Sequence, residues 1–155
     1  MQAVRPTASR RWAGVPRWVR AVVVAAGCVF AYGAIVHLGD LLGLRPGGPS
    51  PSTPTWLMVY FTSLTVLNPL AALLLALRRI EGLLLGCAVL ASDAAANGYA
   101  NYVLETAPGV TPGRIGQAVI TALAVALIAV APRVTPWLHR PERPGRRAPS
   151  HRPGR

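Results

Sequence analysis

GLLLGCAVLASDAAANGYANYVL, residues 82–104, contains a single charged side chain, Asp93. An α-helix rises ~1.5 Å per residue, so about 20 residues cross the ~30 Å of a bilayer's hydrocarbon. This stretch is long enough, and it has three companions of similar character at residues 19–42, 56–77 and 115–131. The four occupy more than half of the 155 residues and leave no room for a soluble domain. The expected fold is all-α: an integral membrane, up-and-down bundle of four transmembrane helices.

Charge supplies the expected orientation. The formal charge of +11 comes from sixteen arginines against five acids, with no lysine. Five arginines lie at the start (Arg5, Arg10, Arg11, Arg17, Arg20), Arg78 and Arg79 separate the second and third stretches, and seven follow the fourth. The other two connections hold only Arg45 and Arg114. Fourteen against two is the alternation that the positive-inside rule predicts, so both termini are expected to be cytoplasmic. Nucleic acid is not the expected partner, because no aromatic residues are interleaved with the arginines as base platforms. Arginine without lysine, beside abundant Ala, Gly and Pro, suggests a GC-rich genome and hence a bacterial cell membrane.

The flanks divide the chain into an Arg-rich cytoplasmic segment (1–18), the membrane domain (19–131) and a cytoplasmic tail (132–155). The tail carries six prolines and seven arginines and is expected to be disordered. Both ends would touch anionic lipid headgroups, with Trp12 and Trp18 at the interface. The link 43–55, with four prolines and three glycines, reads as a short connection. Ala25-Ala26-Gly27-Cys28 loosely resembles a lipoprotein cleavage box, but the apolar run continues through Val36 without a polar break. An uncleaved first helix is expected, with Cys28 and Cys87 as small packing residues. Neither a zinc-type Cys/His spacing nor a phosphate-binding glycine loop is present, and no cofactor is expected. Small multidrug transporters are similar in span number. They resemble one another in a glutamate within the first helix, whereas here the first span has no acid before Asp40 at its outer edge.

Polar side chains at membrane depth carry most of the functional information. Asp93 falls near the middle of its span, where a carboxyl group must be protonated, paired or open to water. Asn97 and Asn101 follow at four-residue spacing on the same stripe. Gly82 and Gly86 share that face and would let a neighbouring helix approach closely, turning Asp93 inward. In the first span His37 and Asp40 lie ~10 and ~15 Å above the midpoint, and Asn97 and Asn101 lie ~6 and ~12 Å above Asp93. Tyr60 in the second span and Gln117 in the fourth come out near ~10 Å as well. All four spans thus place a polar group in one layer of the outer leaflet.

Asn68-Pro69 lies near the midplane of the second span. The proline frees the carbonyl of Thr65, so Asp93 is expected to donate to that carbonyl or to Asn68.

Two functions remain open. One is a structural or accessory membrane protein whose polar set is a hydrogen-bonded clamp, with a homo-oligomer or another membrane protein as partner. The alternative is a small proton, ion or solute carrier with an outward-facing cavity around Asp93. A metal site at His37, Asp40 and Asp93 is poorly supported by one histidine and scattered carboxylates. Catalysis is not expected, since no nucleophile has a neighbouring base.

Overall fold

The computed structural model describes residues 12–44 and 53–139. The expectations for 1–11, for most of the 43–55 link and for the tail beyond 139 lie outside the described residues. Four long helices follow one another: α1 (Arg17–Leu41), α2 (Thr55–Ala76), α3 (Ile80–Tyr99) and α4 (Pro112–Val134). A π-helical turn (Ala100–Leu104) extends α3, and a 3-10 turn (Thr135–Trp137) follows α4. All four are long and apolar enough to cross a membrane, and there is no strand among the described residues. The protein is a small all-α, multi-pass membrane bundle.

Local chemistry sets the helix ends. α1 closes in a Schellman motif: Leu44 N–H donates to Gly39 O (2.9 Å) and Gly43 N–H to Asp40 O (3.1 Å). Gly43 takes the left-handed position at φ +66°. α2 closes in the same way, with Arg79 N–H donating to Leu74 O (2.9 Å) and Arg78 N–H to Leu75 O (2.8 Å). Here the left-handed residue is Arg78, at φ +58°. That conformation costs an L-residue about 1 kcal/mol, and the contacts of the Arg78 side chain offset it. Its Nη2 donates to Trp137 O (2.6 Å), and its guanidinium lies 5.4 Å from the centre of the Trp12 ring. His139 N–H donates to Arg78 O (2.7 Å), and Ile80 N–H to His139 O (3.1 Å). The α2–α3 turn is therefore gripped by the chain before α1 and the chain after α4.

The ends of α4 differ from the sequence expectation of 115–131. Thr111 caps the helix, its hydroxyl accepting from Arg114 N–H (3.2 Å), and Pro112 occupies the first turn, where its missing donor is not needed. At the other end the helix runs through Pro132 to Val134, and Thr135 Oγ1 donates to Ala131 O (2.8 Å). Residues 132–139, expected to begin a disordered tail, form the last helical turn and the strap over Arg78. A proline near a helix end removes one hydrogen bond, and here the docked strap holds the chain.

A single buried cluster draws on all four helices, and sequential helices pack against each other most extensively. α3 is the central element, with 39% of its apolar stretch buried against 17% to 22% in the others. Its glycines explain this position. A Cβ on Gly82 would stand 2.5 Å from Leu75 N and 2.7 Å from Leu74 C, so α3 touches the α2 backbone there. A Cβ on Gly86 would stand 2.7 Å from Phe30 Cζ and 3.6 Å from Leu127 Cδ2. Phe30 of α1, fully buried, thus fills the notch that Gly86 leaves. Large apolar side chains such as Ile35, Val59, Leu84 and Val125 are exposed on the outside, as a lipid-facing surface requires.

Candidate functional site

Three of the eight polar groups read from the sequence, Asp93, Asn97 and Asn101, lie on α3 and its π-helical extension. Asp93 is buried, like Gly82 and Gly86 on the same helix. Its carboxyl Oδ1 accepts from Asn97 Nδ2 (2.8 Å), which also donates to Asp93 O (3.0 Å). One turn further, Asn101 Nδ2 donates to Asn97 O (2.8 Å). The four-residue spacing therefore becomes a ladder along one helix face, each amide reaching back one turn. The expected donation from Asp93 to Asn68 or Thr65 O is not what the structure shows. Asn97 is nearer, being tethered one turn away. Asn68 instead packs against α1, its Nδ2 3.0 Å from where a Cβ on Gly33 would stand. The Thr65 hydroxyl is turned back onto Thr62 O (2.7 Å).

Two bonds tie α3 to its neighbours. Tyr60 Oη of α2 and Ser92 Oγ of α3 are 2.8 Å apart. Gln117 Nε2 of α4 donates to Ala94 O (2.7 Å) and lies 3.1 Å from Thr121 Oγ1. Gly98 lies beside the Gln117 amide, where a Cβ would make an ordinary contact with Nε2 at 3.4 Å. Gln117 Oε1 is buried and has no hydrogen-bond partner among the described residues. In α1, His37 is buried and stacks on Phe61 of α2, with ring centres 5.7 Å apart and planes at 15°. Asp40, one turn above, is half-buried and its carbonyl accepts from Gly43 N–H. Of the eight residues singled out, none is fully exposed. The structure joins Tyr60 to α3 and Gln117 to α3, and sets His37 and Asn68 in the α1–α2 interface.

Sequence reasoning missed several participants. Ser92 also donates to its own helix at Ala88 O (2.8 Å), so its composition alone gives no sign of a cross-helix role. Gly33 and Gly113 act by what they leave out, a Cβ at Gly113 colliding with Asn101. Arg114, read only as a topology charge, organises the end of α3: its Nε donates to Asn101 O (3.3 Å), and it also donates to Gly109 O.

The arrangement links α3 by one hydrogen bond to α2 and by one to α4, and Asp93 is its one carboxyl group on the α3 face. Among the described residues, no group of three or more His, Cys, Asp or Glu side chains converges in a way that could hold a metal ion. No protein-family model, curated protein or solved structure matches the chain.

Proposed function

We propose that the chain is a structural or accessory protein of a bacterial cell membrane, with both termini cytoplasmic, in which α3 is a clamped spine. It would act by presenting its lipid-facing helices or its tail to a second copy or to another membrane protein. The observation that carries this reading is that α3 is bonded to a neighbouring helix on each side of its Asp93 face. Tyr60–Ser92 fastens it to α2, Gln117–Ala94 fastens it to α4, and the Asp93 carboxyl is engaged by Asn97 on its own helix. Polar groups used in this way fix helix register.

A double-mutant cycle tests the clamp. Tyr60→Phe and Ser92→Ala should each lower stability in detergent, with a coupling of about 0.6 kcal/mol and at most ~1.7 kcal/mol. Strictly additive losses would mean that the 2.8 Å contact does not fasten the helices.

The carrier reading has one observation in its favour: among the described residues, only Oδ1 of the Asp93 carboxyl takes a hydrogen bond. The second oxygen is available to a proton or a polar solute.

The orientation rests on the fourteen-to-two arginine split. Reporter fusions after Arg79 and at the C-terminus should read cytoplasmic, and fusions near Pro49 and Gly109 external. A C-terminal reporter on the outer face would reverse the side on which Asn97, Asn101 and Gln117 lie.

A further inference from the structure

We infer that the end of α4 near Arg114 is a phospholipid site, with the lipid phosphate on the Arg114 guanidinium and an acyl chain in the groove below it. The groove is a shallow, widely open depression of ≈ 520 Å³. Tyr102 and Arg114 form its mouth, and Ile115, Ala118, Val119 and Ala122 line its length. Those four positions recur at i, i+3, i+4 and i+7, so they form one face of α4. From Arg114 to Ala122 the face descends ~12 Å, the course of the upper part of an acyl chain.

Charge points to the headgroup. Two of the five N–H groups of Arg114 are used, on the neutral carbonyls of Asn101 and Gly109, which leaves three. The neighbouring acid, Glu105, is taken up by Thr111, whose hydroxyl donates to Glu105 Oε2 (3.1 Å). Among the described residues Arg114 forms no ion pair, and its side-chain hydrogen bonds go to backbone carbonyls. The π-helical turn at Ala100–Leu104 carries Tyr102, whose ring centre lies 5.4 Å from the guanidinium and holds it at the mouth of the groove. A cation fixed above a strip of apolar surface matches the amphiphilic layout of a phospholipid, and phosphate takes guanidinium donors well.

A second copy of the chain suits this groove less well. A two-fold contact in the membrane brings identical heights together, and it would set Arg114 against Arg114.

The test uses the full chain, purified in mild detergent and stripped of lipid. Phosphatidylglycerol and phosphatidylcholine are then titrated separately, and bound lipid is counted by native mass spectrometry. Wild type should retain phosphatidylglycerol more strongly than phosphatidylcholine, and Arg114→Gln should weaken the phosphatidylglycerol step about fivefold. Arginines elsewhere contribute equally to both proteins and cancel in that comparison. Because Arg114→Gln also loosens the 105–111 link, Ala118→Leu is the second variant. It leaves the Arg114 hydrogen bonds in place, fills the groove, and should weaken both lipids. Retention of phosphatidylglycerol by both variants at the wild-type level would overturn the site. So would inorganic phosphate alone competing as well as the lipid, or Ala118→Leu changing the oligomeric state instead of lipid retention.

Discussion

Gly82→Ala is expected to be among the most damaging single-methyl additions in the protein, lowering stability by about 3 kcal/mol. The new Cβ would lie 2.5 Å from Leu75 N and 2.7 Å from Leu74 C, and these are backbone atoms that no rotamer change can move. Relief requires α2 and α3 to separate next to the short turn that joins them. That turn is itself held by Trp12, Trp137 and His139, so separation also loosens the strap. Gly86→Ala should cost less, about 1–2 kcal/mol, because its new methyl meets the rim of the Phe30 ring and a ring can pivot. Gly27 and Gly116 supply the controls: nothing lies within 4 Å of a Cβ at either, so alanine there should be neutral or slightly stabilising. Thermal unfolding of the four variants in one detergent gives the ranking. Gly82→Ala unfolding with the controls would mean that α2 and α3 do not approach so closely.

That ranking also shows what the sequence can and cannot convey. The Gly82–Gly86 step is readable as a small-residue face, and it shares that face with Asp93. What it is small for is not readable, because Leu74, Leu75, Phe30 and Leu127 come from three other helices. The four spans were legible because length and apolarity are properties of a segment alone. The ends of α4 were not. Arg114 and Arg133 look like the limits of an apolar run, yet long arginine side chains lie within a helix and direct their charge outward. The turn at Arg78 gave no signal either, since its left-handed position normally calls for glycine and the sequence there is Leu-Arg-Arg-Ile.

The polar set divides along the same line. The ladder Asp93, Asn97 and Asn101 follows from spacing, because all three share one helix. Height set His37, Tyr60, Gln117 and the α3 asparagines in one layer. In the structure Tyr60 and Gln117 bond to α3 next to Asp93, below those asparagines, and His37 stacks on Phe61 of α2. Height did not identify the partners on α3, Ser92 Oγ and the Ala94 carbonyl. A serine inside a helix reads as self-satisfied, and a backbone carbonyl has no sequence signature. The π-helical turn was invisible for a similar reason, since one extra residue in a turn leaves the composition unchanged.

Asp93 is where the two functional readings diverge, and two substitutions separate them. Asp93→Leu should destabilise the bundle by about 1 kcal/mol, because it removes the carboxyl acceptor of the part-buried Asn97 amide, which keeps only its bond to the backbone carbonyl of residue 93. Asp93→Asn keeps the shape and an oxygen that can accept from Asn97, so its stability should stay within about 0.5 kcal/mol of wild type. It cannot exchange a proton. On the clamp reading, wild type and Asp93→Asn should behave alike in vesicles under an imposed pH gradient, and Asp93→Leu alone should be impaired, through its folding. On the carrier reading, wild-type vesicles should show proton-linked uptake, and Asp93→Asn should abolish it with no change in unfolding temperature. Stability measured beside uptake is what makes the comparison decisive, because lost uptake in an unstable variant has a trivial cause. An Asp93→Asn protein that is stable yet inactive would therefore overturn the accessory role proposed here, and one that is stable and unchanged would remove the proton-coupled carrier.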